Sequence, residues 1–498
     1  MAASTPSDST GTDAVRFVLD GRVVEVDGLP PTTTVLEYLR EHAGRTGTKE
    51  GCAEGDCGAC TVVLGELDAD SASIRYRAIN SCIRFLPTID GKELVTVESL
   101  AGSDGTLHPV QQAMVDMHAS QCGFCTPGFV MSLFALYLDR QIESPRRDDV
   151  VDALAGNLCR CTGYRPIIDA GCAMRGYAEP QRWSRAEAQA PARAELLQSI
   201  QRKNALQCAG FAAPRSVDEL AATFAAAPQS LLLAGGTDVG LWVTKHLRDL
   251  ASIIYLGEVA ELHGIAADQQ AIRIGAAVPL TDAWAALVAS IPQLAELAQR
   301  FGSPPVRNSG TLCGNVANGS PIGDAMPALI ALGATIELRC DDRSRTLALE
   351  DFYLGYQKKA LDAGEFVVAV NVPMPAAATR VGFYKISKRI DQDISAVCAA
   401  FALTIDSHGN VSAARIAYGG MAAIPARARH TEATLPGKAF DATTVTAAVA
   451  ALAQDFQPIS DMRASAAYRL QTAGSLLRRF QRELETGAPL RTHAVSSA

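Results

Sequence analysis

Four cysteines in the first part of the chain have the type and spacing to hold iron. Cys52, Cys57 and Cys60 form a C-x4-C-x2-C run, and Cys82 follows at a distance. This is the plant-type [2Fe–2S] spacing, in which each iron takes two protein thiolates in addition to the sulfides of the cluster. A structural zinc site is the alternative, but zinc knuckles prefer C-x2-C pairs at both ends. The spacing therefore favours an electron carrier.

Three glycines, Gly51, Gly55 and Gly58, lie within or beside the same run. Glycine adopts positive φ without a steric penalty, so the chain can turn tightly around a cluster. Backbone N–H groups can then approach the sulfur atoms and tune them. We predict that this loop wraps the cluster.

A second set of four cysteines lies further along the chain. Cys122 and Cys125 form a C-x2-C pair, and Cys159 and Cys161 form a C-x-C pair. Each pair falls at the joint between two predicted helices, so the four thiols can meet at the centre of a small bundle. Zinc is again the alternative, although C-x-C is awkward for a zinc knuckle. Behind a ferredoxin module, the pattern favours a second [2Fe–2S] cluster.

The segments around the first cysteine set carry hairpin and strand signals. An Asp-Gly turn joins two short apolar runs, and the threonines Thr32–Thr34 can cap a helix after them. The predicted strands are Val15–Leu19, Val23–Val26, Thr61–Leu64, Arg75–Ile79 and Leu94–Val97. This order predicts a β-grasp ferredoxin module that ends at about Glu98.

Helical periodicity follows this module. A cap or first-turn proline starts each of four predicted helices, and the third is expected to continue to Leu158. These starts are Pro109, Thr126, Ser144 and Pro166. Residues 179–210 are rich in Ala, Arg, Gln and Glu, which predicts a partly helical interdomain linker.

Two glycine-rich stretches could bind a nucleotide. A buried-strand run, Ser230–Ala234, ends in Gly235–Gly240, and a turn-rich stretch covers Phe301–Asp324. Small residues let backbone amides approach the oxygens of a pyrophosphate. Neither stretch is G-x-G-x-x-G, which disfavours a Rossmann site. Ordinary turns are the alternative for both.

The chain from about Thr379 has two predicted strands, Ile394–Ile405 and Val411–Ala417, followed by an Ala-rich helical tract. Apolar residues at helical spacing predict that this tract packs into a core. We predict disorder beyond Leu490.

Composition limits the class of protein. The 498 residues carry a net charge of −8 without a basic block, which argues against nucleic acid and an anionic membrane surface as partners.

Met1–Asp13 has neither a basic start nor an apolar run, so no signal or transit peptide is expected. The apolar stretch Val130–Leu138 is too short to span a bilayer. Thirteen cysteines without a secretory signal predict a reducing compartment, the cytoplasm.

With both cysteine sets and both glycine-rich stretches, the sequence resembles the iron–sulfur/FAD subunits of bacterial xanthine dehydrogenases, in the molybdenum hydroxylase family. The resemblance covers about Val15 to Phe480. The motifs that carry it are Gly51–Cys60, Gln121–Pro127, Cys159–Pro166 and Gly310–Asp324.

The resemblance implies a multidomain α+β fold. It implies a β-grasp [2Fe–2S] ferredoxin domain, an all-α [2Fe–2S] four-helix domain, an FAD-binding α+β domain of the vanillyl-alcohol-oxidase type and a small α/β C-terminal flavoprotein domain. The expected boundaries are 14–98, 99–178, 179–210 for the linker, 211–376, 379–485 and 486–498 for a tail.

The resemblance also implies the site residues, with no catalytic residue on this chain. The implied metal ligands are Cys52, Cys57, Cys60, Cys82, Cys122, Cys125, Cys159 and Cys161. The implied FAD contacts are Leu232, Leu233, Ala234, Gly235, Gly236, Thr237, Asp238, Val239, Phe301, Thr311, Asn315, Asp324, Val367 and Lys385. No role is assigned to Cys172, Cys208, Cys313, Cys340 and Cys398, for which core packing is expected.

The implied function is electron transfer. A partner subunit would hold the molybdenum cofactor and hydroxylate hypoxanthine or xanthine, in a heterotetramer of two small and two large chains. Electrons would pass through the helical-domain cluster and the ferredoxin-type cluster to FAD and then NAD⁺. The segment Lys385–Asp393 matches the family's flavin and NAD region only in pattern, and a solvated basic face is its alternative. Rival interpretations are a hydroxylase of aldehydes or aromatic substrates, an oxidase that uses O₂, and a zinc-bound scaffold.

Overall fold

The structure, a computed structural model, describes residues 14–68, 73–390 and 392–490. The chain forms two units: the first runs to Ala260 and includes Ser303–Gly310, and the second comprises Glu261–Gly302 and the chain from Thr311 onward. The boundary between the two units after Ala260 therefore falls inside the predicted FAD domain. The predicted domain boundaries stay predictions. The predictions for Met1–Asp13 and for the tail beyond Leu490 lie outside the described residues.

A five-stranded sheet opens the first unit and has the strand order β2-β1-β5-β3-β4. Its strands are β1 (Val15–Leu19), β2 (Arg22–Val26), β3 (Thr61–Leu67), β4 (Ile74–Asn80) and β5 (Glu93–Val95). Helix α1 (Val35–Glu37) is capped by Thr34, as predicted, and continues as a π-helical turn to His42. β1 pairs antiparallel with β2 and parallel with β5. The predicted β-grasp arrangement is confirmed.

Four helices follow, as predicted: α2 (Pro109–Asp116), α3 (Thr126–Leu138), α4 (Arg147–Leu154) and α5 (Arg165–Ala173). Buried apolar residues from these helices form one core, including Phe129, Leu133 and Phe134. Two details of the prediction were wrong. Cys125, not Thr126, is the cap of α3, and α4 ends before Leu158. Gly156, with φ +119, does not continue a right-handed helix.

The predicted linker 179–210 is a packed part of the first unit, although it is partly helical as expected through α6 (Pro191–Ser199). Trp183 is buried, and the Arg193 guanidinium lies 3.8 Å from the centre of its ring. Arg193 also forms a 2.6 Å ion pair with the buried Glu93 of β5. One aromatic ring and one arginine thus help to anchor a segment whose composition has few large apolar residues.

A small sheet completes the first unit, in the order β6-β7-β9-β8. Its elements are β6 (Leu206–Cys208), β7 (Phe211–Ala213), α7 (Val217–Ala226), β8 (Leu231–Leu233), α8 (Val239–Thr244) and β9 (Ile253–Tyr255). β8 and β9 are parallel, which is the βαβ geometry. Ser216 caps α7 by accepting from the Glu219 N–H at 3.1 Å.

The second unit contains a five-stranded sheet, in the order β10-β11-β16-β12-β13, and a separate hairpin. The strands are β10 (Ile265–Ala267), β11 (Ala271–Gly275), β12 (Thr335–Cys340), β13 (Arg343–Ala348), β14 (Tyr353–Gly355), β15 (Lys358–Lys359) and β16 (Phe366–Pro373). The helices in this part of the chain are α9 (Leu280–Ser290), α10 (Ala295–Gln299), α11 (Pro304–Ser309), α12 (Leu312–Asn318), α13 (Ala325–Leu332) and α14 (Leu349–Phe352), of which α11 belongs to the first unit.

The prediction of a turn-rich stretch over Phe301–Asp324 was wrong in its local structure, because most of it is short helix. Ser303 and Thr311 accept hydrogen bonds from Val306 N–H and Gly314 N–H and so cap α11 and α12. Glycine and proline here stand at the ends of short helices and do not form one extended loop.

The C-terminal part of the second unit is a four-stranded antiparallel sheet packed against helices. Its strands are β17 (Thr379–Ile386), β18 (Val397–Ile405), β19 (Val411–Gly419) and β20 (Ala426–Arg427), and its helices are α15 (Arg429–Ala433), α16 (Ala442–Asp455) and α17 (Ala466–Thr486). Phe401, Leu477 and Phe480 share its core, which confirms the predicted packing of the Ala-rich tract. The multidomain α+β class is confirmed. In the described part of the chain, no helix has the length and apolar character needed to cross a membrane.

One buried histidine gives the helical domain a pH dependence. The His108 Nδ1 atom accepts from Val110 N–H and caps α2, and Nε2 lies 3.3 Å from the Trp183 carbonyl. Burial lowers the pKa of His108 to about 4 from the ordinary value of 6.5. The unfolded chain binds the proton more readily than the folded chain. The free energy of unfolding is therefore highest above about pH 6.5 and falls towards pH 4. The full loss is about 3 kcal/mol.

We expect the urea midpoint of the full-length protein to fall between pH 7 and pH 5, and His108→Gln to reduce the size of that fall. Far-UV circular dichroism at both pH values measures it. His246→Gln, at an exposed position, is the control and should keep the wild-type pH dependence. An unchanged pH dependence in His108→Gln would contradict the assignment.

Candidate cluster and flavin sites

The first cysteine set lies between secondary-structure elements of the β-grasp sheet. Cys52, Cys57 and Cys60 occupy the loop before β3, and Cys82 follows β4. The Cys60 and Cys82 sulfurs are 3.2 Å apart, and Cys57 N–H donates to the Cys52 sulfur at 3.3 Å. The thiols of Cys52 and Cys57 also lie close enough to shift each other's pKa. The four sulfurs are thus arranged two and two, as the two irons of a [2Fe–2S] cluster require.

In each thiol pair the pKa values of the two cysteines are shifted in opposite directions. The neighbouring Cys57 thiol lowers the pKa of Cys52 to about 5, and the neighbouring Cys52 thiol raises the pKa of Cys57. The bond between Cys60 and Cys82 likewise lowers the pKa of Cys60 and raises that of Cys82. Iron binds thiolates, so its binding here would release protons from these thiols.

The glycines of this loop are required by the space around the sulfurs. A Cβ atom on Gly51 would lie 2.8 Å from the Cys57 sulfur, and one on Gly55 would lie 2.6 Å from the Ile83 side chain. Gly55 has φ +77, a conformation that other residues rarely adopt. These observations fit a loop that approaches a cluster closely.

Asn80 was not predicted from the sequence, although it stands only two residues before Cys82. Its side-chain amide donates to the Cys60 sulfur at 3.8 Å. Its carbonyl oxygen is buried and has no hydrogen-bond partner. A donor to a sulfur that binds iron would shift the potential of a cluster, so Asn80 is a further candidate residue of this site.

The second cysteine set pairs across its two motifs. The thiols of Cys125 and Cys159 lie close enough to shift each other's pKa, and Cys122 lies close enough to Cys161 to raise the pKa of that thiol. Burial, with Cys159 nearby, raises the pKa of Cys125 to about 12. Burial opposes ionisation of Cys159, but hydrogen bonds from Thr162 outweigh it and lower the pKa of that thiol. The four thiols of the second set thus also form two pairs, Cys125 with Cys159 and Cys122 with Cys161.

The joint that carries Cys159 and Cys161 is held by local contacts. Cys159 N–H donates to the Tyr164 hydroxyl at 3.0 Å, and Tyr164 has φ +68 at the start of α5. Cys122 and Cys161 are exposed, whereas Cys125 and Cys159 are half-buried.

Over the described ranges, no three His, Cys, Asp or Glu side chains converge on one metal-ion position.

The predicted pyrophosphate loop, Leu232–Val239, lies in the first unit. It comprises the end of β8, a turn, and the first residue of α8. A Cβ atom on Gly235 would lie 2.1 Å from the Ser309 carbonyl oxygen, so close packing alone requires glycine there. Gly236 has φ +74, and the nearest atom to an added Cβ is 3.6 Å away. This turn can therefore present its backbone to a ligand at Gly236.

The other predicted flavin contacts lie in the second unit. Thr311 caps α12, and Asn315, one turn later on the same helix, has a buried side-chain oxygen without a hydrogen-bond partner. An unpartnered buried acceptor is costly and fits a site that takes up a donor from a ligand. Phe301 and Val367 are buried, and the Phe301 ring is 5.3 Å from that of Trp284.

Asp324 and Lys385 form a buried ion pair, with 2.7 Å between Nζ and Oδ2. Ser395, which was not predicted, donates to the other Asp324 oxygen at 2.5 Å. Arg300, also not predicted, is buried and donates to the Lys385 carbonyl at 2.9 Å and to the Ser387 hydroxyl at 3.1 Å. Arg300 therefore holds the start of the segment proposed for nucleotide binding. No local sequence pattern marks these two residues.

The five cysteines without a predicted role do not form a further set. Cys313 and Cys398 are buried, as core packing predicts, and burial raises the pKa of the Cys313 thiol to about 12. The expectation of core packing was wrong for Cys172, which is exposed, and Cys208 and Cys340 are only half-buried.

Four family models match the chain in succession. They are a 2Fe–2S iron–sulfur cluster binding domain at 17–85, a [2Fe–2S] binding domain at 96–172, an FAD binding domain in molybdopterin dehydrogenase at 205–375 and a CO dehydrogenase flavoprotein C-terminal domain at 382–484. The predicted layout of two [2Fe–2S] domains, an FAD-binding domain and a C-terminal flavoprotein domain is thereby confirmed.

Curated relatives and solved structures are similar to parts or most of the chain. Xanthine dehydrogenase of Emericella nidulans is 32% identical over 507 residues, which cover 89% of this chain and 36% of that protein. Xanthine dehydrogenase 2 of Arabidopsis thaliana is 31% identical over 494 residues, with 86% and 36% covered. This chain thus spans 36% of the length of these two relatives.

Two solved structures have a similar fold. A chain of carbon monoxide dehydrogenase from Hydrogenophaga pseudoflava is 31% identical, with a TM-score of 0.51 and coverage of 55% of this chain and 95% of that one. A chain of quinoline 2-oxidoreductase from Pseudomonas putida 86 is 26% identical, with a TM-score of 0.52 and coverage of 57% and 99%.

Proposed function

The chain belongs to the molybdenum hydroxylase family, as an iron–sulfur and FAD-binding part, and on that premise we propose that it transfers electrons in a xanthine dehydrogenase. The observation that carries this proposal is the division of both cysteine sets into two thiol pairs, on two domains of one chain that also has an FAD-binding domain. The xanthine dehydrogenases among its relatives support the purine substrate.

When bound, two [2Fe–2S] clusters supply one-electron steps and FAD supplies hydride exchange with NAD⁺. We assign the eight cysteines of the two sets as cluster ligands. We assign FAD contacts to Leu232–Val239 in the first unit. In the second unit the assigned contacts are Phe301, Thr311, Asn315, Asp324, Val367 and Lys385. Electrons would enter at the helical domain, pass to the ferredoxin-type domain and leave through FAD.

The molybdenum cofactor is assigned to a partner chain, in a heterotetramer of two small and two large chains. NAD⁺ is assigned to the segment 385–393, where Lys388 and Arg389 carry positive charge. Both are already engaged, since Lys388 donates to the Met462 carbonyl at 2.8 Å and Arg389 lies 3.6 Å from Asp393.

Thirteen free cysteines support a cytoplasmic location.

A second candidate is the equivalent part of another molybdenum hydroxylase. The similarity to carbon monoxide dehydrogenase and quinoline 2-oxidoreductase chains favours it, because those proteins act on other substrates. An oxidase that uses O₂ differs only in the final acceptor.

We expect the purified full-length chain, loaded with iron and FAD, to be reduced by NADH but not to oxidise xanthine. NADH runs the proposed exit in reverse, so the visible absorbance should bleach and an artificial acceptor should be reduced. Stopped-flow spectrophotometry measures the bleaching, and the same protein stripped of FAD is the control. Turnover of xanthine by this chain alone would contradict the division of labour. No NADH reduction, with rapid reaction of the whole complex with O₂, would identify an oxidase.

A further inference from the structure

Three glycines bring the two cluster-binding segments into direct backbone contact. A Cβ atom on Gly58, in the first cysteine loop, would lie 2.1 Å from the Gly156 carbonyl oxygen. One on Gly128, in α3, would lie 2.1 Å from the Gly58 carbonyl oxygen. Both distances are shorter than any side chain allows, so the backbones approach as closely as chains can.

Asn157 lies inside this contact and connects its parts. It is buried, and its side-chain amide donates to the Gly58 carbonyl at 3.1 Å and to the Thr61 hydroxyl at 3.3 Å. Its side-chain oxygen accepts from the Ser132 hydroxyl, on α3, at 2.7 Å. We call Gly58, Thr61, Ser132 and Asn157 the Asn157 junction. Every member is buried and hydrogen-bonded, which is the condition under which a polar network specifies one geometry.

The residues next to the junction are cluster ligands on both sides. Gly58 follows Cys57, and Leu158, between Asn157 and Cys159, donates from its N–H to the Cys57 carbonyl at 2.9 Å. Ser132 lies on the helix that Cys125 caps. A shift of Asn157 would therefore move the two cysteine sets relative to each other. The side-chain hydrogen bonds of Asn157 themselves go to Ser132, Gly58 and Thr61, and none of these three bonds involves a cysteine sulfur.

We propose that Asn157 is a positioning residue that sets the separation of the two [2Fe–2S] clusters and, through it, electron transfer between them. The proposal rests on the proposed function, because it requires both clusters. The amide acts through the Gly58 carbonyl and the Ser132 hydroxyl and leaves the ligation itself to the cysteines. Electron transfer and magnetic coupling both weaken as two centres move apart, so one geometry controls both.

The test is electron paramagnetic resonance of the full-length protein, fully reduced with dithionite. We expect wild-type protein to show splitting from the dipolar interaction of two reduced clusters, which is absent at half reduction. Asn157→Ala should keep the iron content and both cluster signals but lose the splitting, and the rate of electron transfer between clusters should fall. Splitting of wild-type size in Asn157→Ala with both clusters present would overturn the proposal.

A matched control is Asn308→Ala. The Asn308 amide also donates to a backbone carbonyl of the ferredoxin-type domain, that of Ala78 at 2.9 Å, but this carbonyl lies in strand β4 and not in the cysteine loop. This variant should keep the splitting, and its loss there would overturn the specific role of Asn157.

Ser132→Ala covers the case in which Asn157→Ala does not fold. It removes the hydroxyl that orients the amide and should reduce the splitting, and a folded Ser132→Ala protein with unchanged splitting would also overturn the proposal. The failure of the proposed function is distinguishable, because it would appear as missing iron or missing cluster signals in the wild-type protein.

Discussion

Cys57→Ala is expected to remove one [2Fe–2S] cluster and to leave the other in place. Cys57 and Cys52 form one thiol pair of the first set, and without one partner an iron loses half of its protein ligands. Iron should fall from about four to about two atoms per chain. Cys125→Ala, which breaks the pair with Cys159, should give the same iron loss but abolish the other cluster's signal.

Iron analysis and low-temperature electron paramagnetic resonance of the two variants provide the measurement. Cys172→Ala is the matched control, since Cys172 is an exposed cysteine of the helical domain that belongs to neither set. It should keep about four irons per chain. If Cys57→Ala or Cys125→Ala lost both signals while circular dichroism remained native, the two sets would not be independent sites.

Gly236→Val is expected to abolish binding of FAD without loss of iron. Gly236 has φ +74 in the turn after β8, and an added Cβ would make only van der Waals contact with its neighbours, the nearest of them 3.6 Å away. A branched side chain would occupy the space through which backbone amides approach a pyrophosphate. Valine is also strained at positive φ, at a cost of about 1–2 kcal/mol. Flavin released by denaturation and measured by fluorescence gives FAD per chain.

Gly21→Val separates the effect on the ligand from the backbone strain. Gly21 lies in the β1–β2 turn with the same φ of +74, and nothing lies within 4 Å of an added Cβ. This variant carries the same strain away from the loop and should retain FAD. Normal flavin content in soluble Gly236→Val protein would refute the assignment of the pyrophosphate loop.

The sequence alone was sufficient to predict features that depend on neighbours along the chain. Ligand spacing, capping residues and glycines at positive φ are local, so the strands of the β-grasp sheet and the cap at Thr34 were predicted correctly. The spacing of the cysteines likewise indicated two sets of four. The family models confirm two [2Fe–2S] domains at those places.

Tertiary structure decided the features that depend on contacts between distant segments. The pairing of Cys125 with Cys159 and of Cys122 with Cys161 follows from how two helical joints meet, which no spacing specifies. Asn157 reaches across 99 positions to Gly58, so neither residue marks the other in the sequence.

The same reason explains two features of the fold that local patterns did not indicate. Residues 179–210 lack a periodic apolar face, yet Trp183 and Arg193 pack them against the first unit. The 301–324 stretch has the composition of turns, but Ser303 and Thr311 cap short helices whose apolar residues are buried only by the folded chain. Local signals determine where an element can begin, and burial against distant residues determines whether it forms and what it contacts.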